Sequence, residues 1–142
     1  MFFEDIKLNQ VIEIPPVVIE KDKMVDFAKL YDNIPLHTDE EYAKTTHFKG
    51  LIAPGVMSFM SVWAKYLEVD IIKDELIAGK STKIEWFKPV YPEDVLTGRA
   101  VITKKTERNE KNGIIEITIE VNNQDGKCVL KNVTEAVVKR RP

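Results

Sequence analysis

Hydrophobic and polar residues alternate along the second half of the chain. In GIIEITIEVNN, the odd-numbered residues from Ile115 to Val121 are apolar and fall on one face, which is the period of a half-buried β-strand. The stretches VLTGRAVITKKTER, CVLKNVTEAVVKR and STKIEWFKPV predict three further strands. Asn-Gly at 112–113 and Asp-Gly at 125–126 are typical of tight turns. This half therefore predicts a meander of long antiparallel strands.

The first half of the chain has irregular and helical patterns instead. In DKMVDFAKLY, apolar residues recur from Met24 to Tyr31 at offsets of three and four, which predicts a short amphipathic helix. Thr38 and Glu41 have the spacing of a capping box. A second short helix is therefore expected to begin just after His37.

The segment PGVMSFMSVWAKYLE, residues 54–68, is the most apolar helical candidate. Its apolar residues cover most of the circumference, which predicts a buried helix. Pro54 and Gly55 suit the entrance of that helix. Together with the strands, this predicts an α+β fold in which a long antiparallel sheet wraps around one central helix, as a single domain over residues 1–142.

Composition narrows the classes of partner. Apolar residues make up 44% of the chain, charged residues 31%, and the net charge is −2, so no broad positive field favours nucleic acid. No apolar run reaches the roughly 18 residues of a membrane span, and MFFEDIKLNQ lacks the regions of a signal peptide. We therefore expect a cytoplasmic protein without a membrane partner. The single Cys128 is expected to act as a small buried hydrophobe, and the tail Lys139–Arg141 to be solvated.

Asp32 and His37 are the first candidates for chemistry. They lie five residues apart in YDNIPLHTDE, with Pro35 between them. If the turn curls back, the carboxylate can fix the tautomer of the imidazole, and the pair can hold one water for general acid/base catalysis. The same spacing also fits an ordinary turn ahead of a helix.

Gly55 is the second candidate. A glycine in the first turn of a buried helix offers a backbone N–H that has no partner within the helix. Such an N–H can stabilise negative charge on a carbonyl oxygen. The alternative is that the glycine only allows close approach of the backbone at a turn. His47 has no acidic neighbour in the sequence and is expected to be exposed or structural. With two histidines and no acids at ligand spacing, no metal site is expected.

The stretch FAKLYDNIPLHTDEEYAKTTHFKGLIAPGVM resembles the hydratase signature of the MaoC-like family, the (R)-specific enoyl-CoA hydratases and dehydratases. The matching positions are Phe27, Ala28, Asp32, Pro35, His37, Asp39 and Ala43, followed by Ile52, Ala53 and Gly55. FKPVYPEDVLTGRAVI and TEAVVKRRP resemble later parts of the family pattern. The chain departs from it at Ile34, where the family has asparagine, at Pro54 in place of histidine, and at Glu93 in place of glycine.

The resemblance implies a hot-dog fold and an acyl-thioester hydratase or dehydratase. It implies that Asp32 and His37 activate a water that adds to a 2-enoyl thioester, and that the Gly55 N–H binds the thioester oxygen. Pro54, Val56 and Met57, at the start of the helix, are expected to contact the substrate.

The family's chemistry needs no metal and no redox cofactor. The expected ligand is an acyl-CoA or acyl-carrier thioester, and the expected assembly is a homodimer or a higher homo-oligomer. Two alternatives stay open at the level of sequence. One is a hot-dog thioesterase, and the other is a domain that binds acyl thioesters or dimerises without catalysis.

Overall fold

The alternating stretch from Ile115 to Val121 lies in the middle of a five-stranded antiparallel sheet in the computed structural model, which describes residues 1–142. The strands are β1 (Val11–Val18), β2 (Leu76–Trp86), β3 (Val95–Glu107), β4 (Asn112–Asn122) and β5 (Cys128–Lys139), in the spatial order β1-β3-β4-β5-β2. The helices are α1 (Lys21–Tyr31), α2 (Pro35–Thr38), α3 (Glu40–Lys44) and α4 (Gly55–Val69).

The long helix α4 packs across one face of the sheet, mainly against β1 and β3. Its buried residues are Met57, Ser58, Phe59, Val62 and Tyr66. This confirms the predicted α+β arrangement of one long helix against a long antiparallel sheet. The prediction of a helix buried all round is wrong, because Val56, Met60 and Leu67 are exposed. None of the helices combines the length and the apolar character that crossing a bilayer requires.

Strand β1 was not predicted from the sequence. It contains Pro15 and Pro16, and its pairing with β3 shifts register between Ile14 and Val17. Proline has no N–H to donate to a sheet ladder and is tolerated at edges and bulges. The edge position of β1 therefore explains how a strand can form where the sequence looked irregular.

The cap of α3 differs from the predicted capping box. Thr38 is the last residue of α2, and its hydroxyl donates to the carbonyl of Ile34 at 3.1 Å. Asp39 is the cap of α3, with its carboxylate accepting from the N–H of Tyr42 at 3.1 Å. A carboxylate satisfies a free N–H at a helix start as well as a hydroxyl does. Asp39 therefore caps α3 in place of Thr38.

The turn before β4 lies earlier than predicted, because Asn112 and Gly113 already belong to the strand. The side chain of Asn109 closes this turn by accepting from the N–H groups of Lys111 at 2.8 Å and Asn112 at 3.0 Å. The second predicted turn is present, with Gly126 at a φ of 72°, a conformation that glycine adopts without strain.

The C-terminal tail is exposed at Lys139 and Arg141, as expected, but it also makes ion pairs that the sequence did not predict. Arg140 lies 2.8 Å from Glu4, and Arg141 pairs with Asp5. The hydrogen bond from Arg140 holds the pKa of Glu4 at about 2, below its usual value. These pairs tie the tail to the short 3₁₀ turn Phe3–Asp5.

Candidate active site

A cavity of about 480 Å³ lies beside the N-terminal end of α4. Its walls come from the turn after α1, the segment leading into α4, and the segment after β2. The lining residues are Asp32, His37, Phe48, Ile52, Ala53, Gly55, Val56, Ser58, Trp86, Phe87, Lys88, Pro89 and Val90. A cavity of this size and mixed lining is suited to a small organic group held by a few polar contacts.

Backbone hydrogen bonds shape the turn that carries Asp32 and His37. The N–H of Asp32 bonds to the carbonyl of Ala28 at 2.9 Å, which ends α1. The N–H of Ile34 then bonds to the carbonyl of Asp32 at 2.9 Å, and the carbonyl of Ile34 accepts from the N–H of His37 at 3.0 Å. The exposed side chain of Ile34 takes no part in these bonds. Replacement of the family's asparagine by isoleucine therefore leaves the turn closed.

The turn brings His37 Nε2 to 3.3 Å from Asp32 Oδ2. On the other side of the ring, His37 Nδ1 lies 2.7 Å from the carbonyl oxygen of Ile52. A carbonyl can only accept, so the hydrogen of the neutral imidazole is assigned to Nδ1 and the lone pair to Nε2. His37 is buried and Asp32 is half-exposed. The site thus presents two acceptor atoms, close together, at the edge of the cavity.

Gly55 begins α4 after Pro54, and its N–H has no acceptor within the chain. The segment before it is anchored by the N–H of Ala53, which bonds to the carbonyl of Val90 at 2.8 Å. The first N–H groups of a helix also carry its positive dipole end. The start of α4 therefore offers a fixed donor to a negatively charged or polarised oxygen.

The predicted site residues do not all meet at the cavity. Asp32, His37, Gly55 and Val56 are among its lining residues, whereas Pro54 and Met57 are not. The carbonyl of Pro54 accepts the N–H of Ser58 at 3.1 Å, inside the first helical turn. Met57 is buried in the hydrophobic core. His47, as expected, is exposed, and its ring packs against that of Phe48.

Several cavity residues were missed in the sequence, among them Ser58, Trp86 and Phe87. Ser58 could have been found by its spacing, since a residue three positions after Gly55 lies on the same face of a helix. No such signal exists for Trp86 and Phe87. They reach the cavity because β2 ends beside α4, and this depends on the pairing of β2 with β5.

Lys88 is the one lysine or arginine among the lining residues of the cavity. Lys88 lines the cavity and makes no ion pair, whereas Lys44 is paired with Glu41 at 3.3 Å. Lys88 is therefore available to an anionic group of a ligand. Nowhere in the chain do three or more His, Cys, Asp or Glu side chains gather as a metal ion would require.

Similarity to known proteins extends over nearly the whole chain. The sequence pattern of the family described as "MaoC like domain" matches residues 5–124. The uncharacterised protein YdeM of Bacillus subtilis is 30% identical over 142 residues, which cover 99% of this chain and 100% of that protein. An (R)-specific enoyl-CoA hydratase of Rhodospirillum rubrum is 39% identical over 57 residues, 40% of each chain.

A solved structure gives the same result for the fold. The crystal structure of a MaoC-like dehydratase from Rhodospirillum rubrum superposes with a TM-score of 0.91 at 26% identity, covering 100% of this chain and 99% of that one. The hot-dog architecture expected from the sequence is confirmed.

Proposed function

Because the chain belongs to the family of MaoC-like domains, we propose that it is an acyl-thioester hydratase. It reversibly adds water to a trans-2-enoyl-CoA to give the (R)-3-hydroxyacyl-CoA. The observation that carries this proposal is the approach of His37 Nε2 to Asp32 Oδ2 at 3.3 Å, in a cavity that also contains the start of α4. The similarity to an (R)-specific enoyl-CoA hydratase supports the class of substrate.

The nucleophile is one water molecule held between Asp32 and His37. Because Nδ1–H of His37 is donated to the carbonyl of Ile52, Nε2 is free to accept a hydrogen bond, as is the Asp32 carboxylate. A water that donates one hydrogen to each of them directs its lone pairs away from both. The geometry thus supports attack on the β-carbon of an enoyl group in the cavity.

Over one reaction cycle, the Asp32–His37 pair takes up one proton and gives one proton back. As the water oxygen bonds to the β-carbon, one O–H bond breaks and the proton passes to His37 Nε2. The π electrons of the enoyl group move onto the thioester oxygen, giving an enolate. The enolate then takes a proton at the α-carbon from the Asp32–His37 pair, which returns to its starting state. Dehydration is the reverse sequence.

The Gly55 N–H stabilises the enolate oxygen. It lies at the N-terminal end of the 15-residue helix α4, where the helix dipole favours negative charge. Loss of one such donor costs about 3–4 kcal/mol of barrier in other enzymes. The proposed reaction uses only these protein groups and calls on neither a metal nor a redox cofactor.

The protein is also proposed to act as a homodimer that pairs through β2. This strand lies at the edge of the sheet, with β5 as its only neighbour. It is exposed along nearly all its length, including Leu76 and Ile77, and the unpaired backbone groups of an edge strand are a template for pairing with another strand. Sedimentation equilibrium is expected to give twice the 16.3 kDa of one chain, and a monomeric mass would contradict the proposal.

The function is tested with purified protein and crotonyl-CoA. Loss of the enoyl absorbance, with (R)-3-hydroxybutyryl-CoA as product, is the expected result. Release of free thiol without hydration would assign a thioesterase instead. Tight binding of the thioester with neither product would assign a non-catalytic domain. Each of the last two outcomes contradicts the proposal.

A further inference from the structure

The indole of Trp86 lies against the start of α4. Trp86 is the last residue of β2, opposite Leu130 of β5, and the next N–H, of Phe87, bonds to the carbonyl of Val129 at 2.8 Å. A Cβ atom placed on Gly55 would lie 2.4 Å from both Cε2 and Nε1 of the indole. The nitrogen-bearing edge of the ring therefore rests on the surface that only glycine leaves open.

Two N–H donors without acceptors meet at this point. Neither the N–H of Gly55 nor Nε1–H of Trp86 makes a hydrogen bond within the chain, and both residues line the cavity. The contact at Gly55 places the two nitrogens within roughly 5 Å of each other. One oxygen atom can then lie at a hydrogen-bonding distance of about 2.9 Å from both.

Packing alone does not account for the position of Trp86, because half of its surface is exposed. The other tryptophan offers a contrast. Trp63 lies between Phe59 and Tyr66 on α4, at ring-centroid distances of 5.8 Å and 4.9 Å, and it packs against the hydrophobic core. A tryptophan N–H usually has a hydrogen-bond partner once it is buried. No group of the chain supplies one to Trp86, so its N–H is open to water or to a polar atom of a ligand that fills the cavity.

We propose that Trp86 is a further catalytic residue, whose indole N–H is the second donor to the thioester oxygen beside Gly55. This inference rests on the hydratase function proposed above. No proton is transferred in this role. The indole N–H only stabilises the negative charge that reaches the oxygen as water adds to the double bond. Two fixed donors on one oxygen stabilise that charge more than one does, because neither must reorganise during the reaction.

The kinetic test replaces Trp86→Phe, which keeps an aromatic ring and removes the N–H. With crotonyl-CoA, kcat is expected to fall roughly 10- to 100-fold, while KM changes by less than about threefold because the donor matters most in the transition state. The matched control is Trp63→Phe, which alters the tryptophan packed against the core and is expected to keep the wild-type kcat.

A spectroscopic test separates a donor from a residue that only shapes the cavity. Butyryl-CoA labelled with ¹³C at its thioester carbonyl binds without being hydrated, and a hydrogen bond lowers its carbonyl stretching frequency. The frequency of the bound ligand is expected to rise toward its value in water-free solvent in Trp86→Phe and to stay unchanged in Trp63→Phe. Replacing Trp86 by benzothienylalanine, which keeps the bicyclic shape with sulfur in place of N–H, should repeat the Trp86→Phe result even if the smaller ring disturbs folding.

The outcomes distinguish this inference from the function on which it rests. If kcat and the carbonyl frequency stay at wild-type values in both Trp86 variants, the donor role is overturned while the hydratase function stands. If wild-type protein binds butyryl-CoA with a lowered frequency that depends on Trp86 but never hydrates an enoyl thioester, the contact stands and the proposed function fails. If wild-type protein gives no bound carbonyl signal and does not hydrate crotonyl-CoA, both fail.

Discussion

The two ends of α4 are built in opposite ways. At the C-terminal end, the carboxylate of Asp70 accepts hydrogen bonds from the hydroxyl of Tyr66 at 3.0 Å and from the N–H groups of Ile72 at 3.0 Å and Lys73 at 3.1 Å. At the N-terminal end, the N–H of Gly55 has no acceptor within the chain and faces a cavity. One end is closed by the protein itself, and the other is left open to a ligand.

This difference separates stability from function along one helix. Burial, and then the neighbouring Asp70, raise the pKa of Tyr66 well above its ordinary value, so the phenol stays protonated and donates to the carboxylate. Every polar group that meets there has a partner, which adds to the free energy of unfolding. Substitutions at the C-terminal end of α4 should therefore lower the free energy of unfolding and leave activity unchanged. Substitutions around the N-terminal end should lower activity and leave the free energy of unfolding nearly unchanged.

The largest effect is expected for His37→Asn at the open end. The asparagine amide can still donate to the carbonyl of Ile52, but nothing replaces Nε2. Hydration of crotonyl-CoA should slow by roughly 10²- to 10⁴-fold, the usual range for loss of a general acid or base. The melting temperature should stay close to that of the wild type, because the asparagine keeps the buried hydrogen bond to the carbonyl of Ile52.

His37→Ala is the comparison for this variant. It removes Nε2 and also leaves the carbonyl of Ile52 without its partner, so it should lose both activity and stability. A His37→Asn protein that hydrates at a near-normal rate would contradict the role given to the imidazole.

Asp70→Ala should give the largest loss of stability. It leaves the buried hydroxyl of Tyr66 and two backbone N–H groups without acceptors, which should lower the free energy of unfolding by about 2–4 kcal/mol. Urea unfolding measures this loss, and kcat of the folded protein should not change. Glu68→Ala is the control on the same helix, since it removes only a surface ion pair with Lys65 worth less than about 1 kcal/mol. If both variants lost the same free energy of unfolding, the hydrogen bonds of Asp70 would add no particular stability to the C-terminal end of α4, and the account would be contradicted.

Gly55→Ala should have a smaller effect, confined to activity. Its Cβ would lie 2.4 Å from the indole of Trp86, so the indole must move away from the cavity. We expect kcat to fall roughly 10-fold, as for partial loss of a fixed donor. Because Trp86 is half-exposed, the ring can swing outward with little loss of stability. A variant with unchanged kcat and a lowered melting temperature would show that the contact serves packing.

The smallest effect is expected far from the open end, for Glu4→Gln. The hydrogen bond from Arg140 lowers the pKa of Glu4 from 4.5 to about 2. A carboxyl group with a lowered pKa stabilises the fold above its unfolded pKa, and this contribution is lost as pH falls through its folded pKa. The wild type should therefore exceed Glu4→Gln in stability above pH 4.5, and the difference should shrink between 4.5 and about 2. Melting curves across this range measure it, and a constant difference would contradict the assignment.

The open end of α4 was only partly predictable from the sequence. Asp32 and His37 lie close together in the chain, and the turn between them is closed by local backbone bonds, so their spacing was enough to suggest a pair. The helix itself was expected over residues 54–68 and is found at Gly55–Val69, because its apolar pattern is continuous. Features of this kind are set by residues close together in the chain, so they can be predicted from the sequence.

The rest depends on contacts between distant segments. Trp86 reaches Gly55 only because β2 pairs with β5 in one register and ends beside α4. Strand β1 was hidden because Pro15 and Pro16 break its pattern, and its place at the sheet edge makes them tolerable. Neither position can be deduced from spacing along the chain.

The central claim is that Asp32 and His37 act on the same water molecule. It is tested most directly by measuring kcat/KM for crotonyl-CoA with Asp32→Asn, His37→Asn and the double variant. Residues that act as a unit lose their effect together, so the double variant should be about as slow as the slower single variant. If the two losses multiply instead, the residues act independently and the shared water is contradicted.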